Sequence, residues 1–416
     1  MVPSVQRKLF QSVDEQMAFY VDAWEQLHAQ LSDATPETAS QNIQNALLKH
    51  RGVKTQVLSE HMPLVYGELA TGADSTLLFY QRCDARFPAL QEVQEVAALL
   101  AAIEACQKVA GRLPVNIKWL LDGGGKPDNP ELSRCLEEHG PLLQADAAIW
   151  SYADETGIGK DSALLALGTK GLLSVELAVQ TGSAAIDIMH SGIVPNALWR
   201  LVWALNSLKD AQEDVKIEGF YDALTPVPDN VTEMLATLPD NAALARRWGM
   251  PRFLMDLRGF QLHYTHLLMP TCTVTTITSK PAETGATLPT QATASVDFQL
   301  VPEQDPYTIF VRLREHLDER GFHDVQARTL SASRPTVTAS DHPFVQSVAH
   351  ATEAAYEQTP YLLPMTVGSY ALHPLRMRSD MPIVLVARNR QSGRAAFAAI
   401  IKQLAAILLE GTAYSC

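Results

Sequence analysis

Apolar residues follow two different patterns along this chain, and the change from one to the other divides it. Val13–Leu31 carries Met17, Tyr20, Val21, Trp24 and Leu27 on one side at helical spacing. The spacing predicts a helix that ends before a polar turn, with a second helix over Thr38–His50. Val53–Leu58 and Pro63–Leu69 read as strands. Ser75–Tyr80 and Val115–Leu121 are short, nearly continuous apolar runs, as expected of strands buried on both faces. Glu92–Val109, between them, is an Ala- and Leu-rich helix. Helices alternating with apolar strands up to about Leu167 predict an α/β sandwich with a mainly parallel sheet.

The pattern changes after Gly168-Thr169-Lys170-Gly171. Leu172–Val179, Thr271–Thr278 and Ala292–Leu300 are strand-like, the last with the period-two alternation of a strand that faces a core on one side only. Pro195–Leu208 and Tyr307–Arg320 read as helices. After Arg334-Pro335 the chain returns to a helix (Pro343–Gln358), a strand (Ile383–Ala387) and a final helix (Ala395–Leu409). That last segment is too small to stand alone, so it should complete the first sheet. The expected fold class is α/β: a split domain from residues 1–168 and 333–416, interrupted by an α+β lid over residues 169–332.

Composition narrows the function classes. A chain of 416 residues exceeds a single typical core. The formal net charge of -13 argues against nucleic acid as a partner, because a phosphate-binding surface needs clustered Lys and Arg. No apolar run approaches the length of a membrane span, and Met1–Arg7 has no signal-peptide core behind it. Cys83, Cys106, Cys135, Cys272 and Cys416 are scattered and without C-x-x-C spacing, which suits free thiols in a reducing cytoplasm.

Three stretches carry chemistry: LLFYQRCDARFP over Leu77–Pro88, PVNIKWLLDGGGKPDNP over Pro114–Pro130, and DIMHSGIVP over Asp187–Pro195. They resemble, in order, three landmarks of the zinc metallopeptidase family that holds carnosine-type dipeptidases, glutamate carboxypeptidases, aminoacylases and succinyl-diaminopimelate desuccinylases. Pro195–Asp210, Phe220-Tyr221-Asp222, Met269-Pro270-Thr271 and Leu300-Val301-Pro302 before Asp305-Pro306 follow in family order and point to the dipeptidase-like branch. The resemblance covers nearly the whole chain. It implies a catalytic α/β domain split by a lid, and a homodimer through that lid. The apolar helix around Trp199 and Trp203 must bury its stripe somewhere, which agrees.

The resemblance also implies a dizinc site, and most of its ligands are replaced. Such a site needs imidazole and carboxylate ligands, an open position for water and a carboxylate base. Arg82 stands where the family has its first His ligand, and a guanidinium cannot ligate zinc. Asp84 matches the Asp that orients that His; its alternative role is a local pair with Arg82 or Arg86. The segment holding the bridging Asp is missing, since the chain passes from Pro88 straight to the helix at Glu92. The catalytic Glu and its neighbouring ligand fall on Gly125 and Lys126. Asp154 matches the fourth ligand, and the last His is absent from ARNRQSGRAAF over Ala387–Phe397. One ligand of the set survives, so no metal and no other cofactor is expected.

Arg82 and Lys126 should project from neighbouring strand ends, where ligands bind in open α/β sheets. They either hold a ligand carboxylate or form only local salt bridges. Outside the metal site, His190 matches the lid His that steadies a developing oxyanion across the family's dimer. Ser369 after Gly368 matches a substrate-carboxylate contact, and His342 a substrate-facing His or else a helix-start residue. Gln299 replaces a lid Arg that grips substrate carboxylate. His263-x-x-His266 lacks the Glu of a metalloprotease helix and reads as structural on a strand approach. Gly123-Gly124-Gly125-Lys126 lacks phosphate-loop spacing. Cys83, beside Arg82, reads as a buried inert thiol rather than a nucleophile.

Three functional readings remain at this level. The first is a metal-free relative that binds a small amino-acid or peptide-like ligand and performs amide or acyl chemistry, with His190, Asp154 and Asp84 as catalytic candidates. The second is a non-catalytic binding or regulatory protein using the same cleft. The third is an ordinary zinc peptidase or deacylase, in which residues such as His61, His139 or His373 converge on metal.

Overall fold

The structure is a computed structural model; it describes residues 3–32, 38, 44–45, 52–59, 64–82, 90–122, 130–154, 156–158, 162–279, 287–370, 372–376, 380–387 and 393–410. An eight-stranded sheet runs in the order Val53–Ser59, Leu64–Leu69, Val115–Asp122, Ser75–Arg82, Ala147–Tyr152, Ile383–Ala387, Leu164–Ala166, Tyr361–Leu363. Its centre is parallel, and antiparallel pairs occur at Val53–Ser59 with Leu64–Leu69, at Leu64–Leu69 with Val115–Asp122 and at Ile383–Ala387 with Leu164–Ala166. Ala147–Tyr152 is buried at every position, which explains its unbroken apolar run. The strand Ile383–Ala387 slots in beside it, so the end of the chain does complete the first sheet.

Helices cover both faces of this sheet. Pro3–Glu15, Met17–Ser32, Leu90–Ala110, Pro343–Tyr356 and Arg394–Glu410 pack on one side around Leu9, Trp24, Leu99, Phe344 and Phe397. The single amphipathic helix expected over Val13–Leu31 is two helices joined at Gln16, although its apolar face is buried as the periodicity requires. Leu90–Ala110 is buried almost all round, and Gly111 at φ 76 ends it in the left-handed region that favours glycine. Most of the helix expected over Thr38–His50 lies outside the described residues.

A second sheet is fully antiparallel, in the order Thr271–Ser279, Gln291–Leu300, Gly171–Gln180, Gln326–Ser333. Gly171–Gln180 and Gln291–Leu300 alternate buried with half-buried positions, as one-sided packing demands. Helices Ala197–Leu208 and Pro306–Glu319 cover the inner face around Phe220, Val296, Phe298 and Leu313. Asn196 caps the first of these, accepting from the backbone N–H groups of Leu198 and Trp199, and Asp305 caps the second through Thr308. The fourth strand, Gln326–Ser333, carries no apolar period and gave no signal in the sequence. Not all of the middle segment belongs to this sheet's core: Leu235, Leu238 and Leu267 pack on the second face of the large sheet.

Candidate functional site

The parallel register brings Arg82 level with Asp122 at the carboxyl ends of neighbouring strands. Asp154 lies two residues beyond the end of the next strand, Ala147–Tyr152. Polar groups tie these ends together. Tyr80 Oη donates to the wholly buried Asp122 at 2.7 Å, and the Tyr80 ring stacks on Trp150 at 3.5 Å between centroids. On the other face Trp119 Nε1 donates to Gln81 Oε1 at 2.9 Å, and Gln81 Nε2 donates to the Glu95 carbonyl at 2.9 Å. Ser151 Oγ donates to the Glu95 carboxylate, while Arg82 Nε lies 4.0 Å from Glu92 Oε1. Glu92 and Glu95 sit near the amino end of Leu90–Ala110, where the helix dipole favours negative charge. Sequence reasoning passed over both. Their signal was two carboxylates three residues apart, one turn of helix, ahead of the apolar run Val96–Ile103.

Asp154 is buried, and its Oδ1 accepts from Thr156 N at 2.8 Å and Thr156 Oγ1 at 2.5 Å. Beside it Tyr152 Oη is buried without a hydrogen-bond partner, and its ring meets Tyr370 edge-on at 6.2 Å. Burial, then Asp154 and Tyr370, hold the Tyr152 phenol protonated well past its ordinary range. Asp154 also faces His266, on the helix Gly259–Leu268. Burial pushes that imidazole down to about 4, with Lys170 and His263 adding to the effect and Asp154 opposing it. The His263-x-x-His266 pair is therefore on a helix and not a strand approach. His263 Nε2 meets the Pro239 carbonyl at 2.9 Å, while His266 points at the junction between the two sheets.

Lys170 occupies that junction. Among the described residues it is the one buried lysine or arginine, and its Nζ donates to the Met269 carbonyl at 2.8 Å. Its backbone bridges Ser369, whose Oγ donates to the Gly171 carbonyl at 2.9 Å. Gln299 Nε2 adds a bond to the Val367 carbonyl at 3.0 Å. Ser369 thus stands beside Lys170, and Ser369 and Gln299 both bond backbone carbonyls at the crossing between the two sheets.

The remaining candidates are placed elsewhere. His342 caps the helix Pro343–Tyr356, its Nδ1 accepting from Phe344 N at 3.1 Å, which is the helix-start role. His190 is exposed at the end of a short turn, Ile188–His190, held by Asp187 through the Met189 N–H. Asp84, Cys83, Gly125, Lys126 and His61 lie outside the described residues. His139 and His373 sit at neighbouring helices, Pro130–Glu138 and His373–Arg376. Among the described residues no group of three or more His, Cys, Asp or Glu side chains could hold a metal ion.

Arg82 ends its strand in a guanidinium, which does not ligate zinc, and Asp154 accepts from Thr156 through Oδ1.

Comparison with known proteins agrees with the geometry. Residues 167–325 match the peptidase dimerisation domain of the M20 family. The rat Beta-Ala-His dipeptidase is 22% identical over 231 residues, which is 54% of this chain and 46% of that protein. The probable di- and tripeptidase DUG2 of Saccharomyces cerevisiae is 19% identical over 50% of this chain and 23% of its own length. The match thus spans less than half the length of these curated relatives. Among solved structures, an M20 family metallo-carboxypeptidase from Sulfolobus solfataricus superposes with a TM-score of 0.80 at 22% identity, over 94% of this chain and 99% of that one. Human carnosine dipeptidase 1 superposes with a TM-score of 0.74 at 15% identity, over 98% of this chain and 99% of that one. The fold is that of a two-sheet metallopeptidase with an inserted dimerisation domain. Residues 167–325 are thus similar to the M20 dimerisation domain, and the chain as a whole shares the fold of M20 peptidases.

Proposed function

We propose that the chain binds a small amino-acid or peptide-like ligand between the strand ends and the lid, and acts on an amide or acyl group there without a zinc pair. The support for this reading is Arg82, a permanent cation at a strand end where the resemblance expects the family's first zinc-binding imidazole. Asp154 is the acid–base candidate, with Asp84 beside Arg82 as a second carboxylate. His190 is the oxyanion donor, supplied across a homodimer formed through the lid. Arg82 and Lys126 supply fixed positive charge for a ligand carboxylate. We assign residues 1–168 and 333–416 to the ligand-binding domain and 169–332 to the lid. The buried free thiols Cys106, Cys135 and Cys272 are compatible with a reducing, cytoplasmic location.

A second reading, binding without turnover, is favoured by a specific set of bonds. Ser369 Oγ, Gln299 Nε2 and His342 Nδ1 each bond a backbone partner within the chain.

The test is zinc per protomer after exposure to excess zinc and washing, followed by dipeptide and acyl-amino-acid turnover with and without chelator. Near-zero zinc with chelator-resistant turnover, lost in Asp154→Asn, is the expected result. Ligand-dependent thermal stabilisation without turnover would establish the second reading. Tightly held zinc with chelator-sensitive hydrolysis would sink both.

A further inference from the structure

The helices Met17–Ser32 and Leu90–Ala110 pack against each other on one face of the large sheet, and a groove opens between them. Ala23 on one helix and Ala97 and Ala101 on the other line it with methyl groups alone, which leaves the space unfilled. Its volume is about 160 Å³, close to the roughly 150 Å³ of an engineered protein cavity that takes up benzene. Phe19 and Tyr20 also line it, their rings edge-on at 5.8 Å between centroids. The lining holds one charged side chain, the half-buried Glu104, and no lysine or arginine. Tyr20 is 2% exposed, and its Oη has no hydrogen-bond partner. Burial first, then Glu104 and Cys106, hold that phenol protonated beyond its ordinary range, so the Glu104 carboxylate and the orphaned hydroxyl are near neighbours. Leaving a buried hydroxyl unpaired is costly, and a phenylalanine would serve packing alone. Glu95, nine residues before Glu104, bonds Ser151 on the sheet. Nine residues are two and a half turns, so the groove lies on the opposite face of the helix and about 14 Å along it from the strand ends.

We propose that this groove is a second binding site, for a small ammonium compound with a single-ring apolar body and no carboxylate. The ammonium donates to Glu104, a charge-assisted bond strengthened by partial burial. It carries three donors, and seating it between Glu104 and Tyr20 gives the phenol oxygen the partner it lacks. The faces of Phe19 and Tyr20 favour the same positive charge. The ring lies over Ala97, Leu100 and Ala101, where it is removed from water and makes the contacts that the alanine methyls leave unmade. An amino acid or acyl-amino acid does not suit the groove, because its carboxylate would stand beside Glu104 with no lysine or arginine in the lining to offset it. The ligand class therefore differs from the one proposed for the strand ends, and the site is independent of that reading.

The probe is benzylamine, titrated by calorimetry into the full chain near neutral pH, with benzyl alcohol and benzoate as its neutral and anionic counterparts. Wild type should bind one benzylamine per protomer, at least about tenfold more tightly than benzyl alcohol, and should not bind benzoate. Glu104→Gln should lose the preference for the amine over the alcohol. Ala101→Leu, which fills the groove, should abolish binding of both while its unfolding temperature stays at or above that of wild type. No saturable benzylamine binding up to about 10 mM overturns the proposal. Equal affinity for the amine and the alcohol overturns it too. Benzylamine binding undiminished by either substitution does the same, since the amine would then sit elsewhere, the strand-end cleft included. Should Ala101→Leu fail to fold, Glu104→Gln decides alone, because it changes one half-buried side chain to its neutral isostere. Turnover is not read, so failure here leaves the proposed function standing.

Discussion

The lid sheet and the carboxyl end of the large sheet are held together by opposite means. In the lid, Val175, Leu177, Val296 and Phe298 point inward and their neighbours outward, and the stability comes from apolar area removed from water. At the strand ends, Asp122, Asp154, Glu95, Gln81 and Ser151 are buried polar groups satisfied by one another and by Tyr80, Thr156 and Trp119. Each such hydrogen bond contributes about 0.5–1.5 kcal/mol net, but breaking one side of it costs more. Folding alone gives little reason to keep so many buried polar groups at one edge. Their position is where open α/β sheets bind ligands.

The comparison is broken most severely from the lid side. Phe298→Ala empties a wholly buried position that touches Phe220 at 6.1 Å between ring centroids. The expected loss is about 3–5 kcal/mol by urea unfolding. A loss under about 1 kcal/mol would mean that the apolar stripe does not carry the lid. Tyr80→Phe tests the other region by deleting a single hydroxyl while keeping the stack on Trp150. Removing a donor from the buried Asp122 should cost about 1–3 kcal/mol. It should also weaken ligand binding more than Phe298→Ala does in the fraction that remains folded, measured by calorimetry.

The same contrast explains what was readable beforehand. The alternating strand Gln291–Leu300 and the continuous runs of Ser75–Arg82 and Val115–Asp122 declared themselves, because burial acts directly on residue type. Gln326–Ser333 did not, since it joins the lid as an outer strand with mostly exposed side chains and is specified by pairing with Gly171–Gln180. His266 and Lys170 were invisible as a pair because they meet only through the tertiary junction, 96 positions apart by their residue numbers. His342 was legible in both of its roles, and the cap is the one its geometry displays. Arg82 was legible from the resemblance, but its neighbour Glu92 required the fold.

A smaller effect concerns acid. The His266 imidazole is lowered to about 4 in the folded chain against an ordinary value of 6.5. The unfolded chain therefore binds an extra proton between those values. The stability contributed is fully present above about 6.5 and is lost as pH falls toward 4. The side chain is partly exposed, so screening keeps this below the Tyr80 effect. Subtracting the unfolding curves of His266→Gln from wild type across pH 4–7 isolates it from the other lowered histidines, His263, His316 and His373. A flat difference would place His266 in water and away from the Lys170 junction.

The smallest effect on folding, and the sharpest on assembly, is expected at the outer face of the lid helix. Trp199 and Trp203 stack at 6.1 Å between centroids and are 58% and 55% exposed, beside a turn that also exposes Met189 and Ile193. Leu201, Ala204 and Leu208 fill the inner face of the same helix, so the tryptophans contribute little to the lid's own core. Trp199→Glu with Trp203→Glu should change the stability of the single chain by no more than about 0.5 kcal/mol. In a two-fold interface the same patch meets itself, so each new carboxylate is duplicated across the contact and desolvated there. Sedimentation should show wild type as a dimer and the double variant as a monomer with an unchanged far-ultraviolet spectrum. A wild-type monomer would leave His190 without a partner's cleft to enter and remove the oxyanion role proposed for it, whereas a variant that still pairs would place the interface away from the two tryptophans.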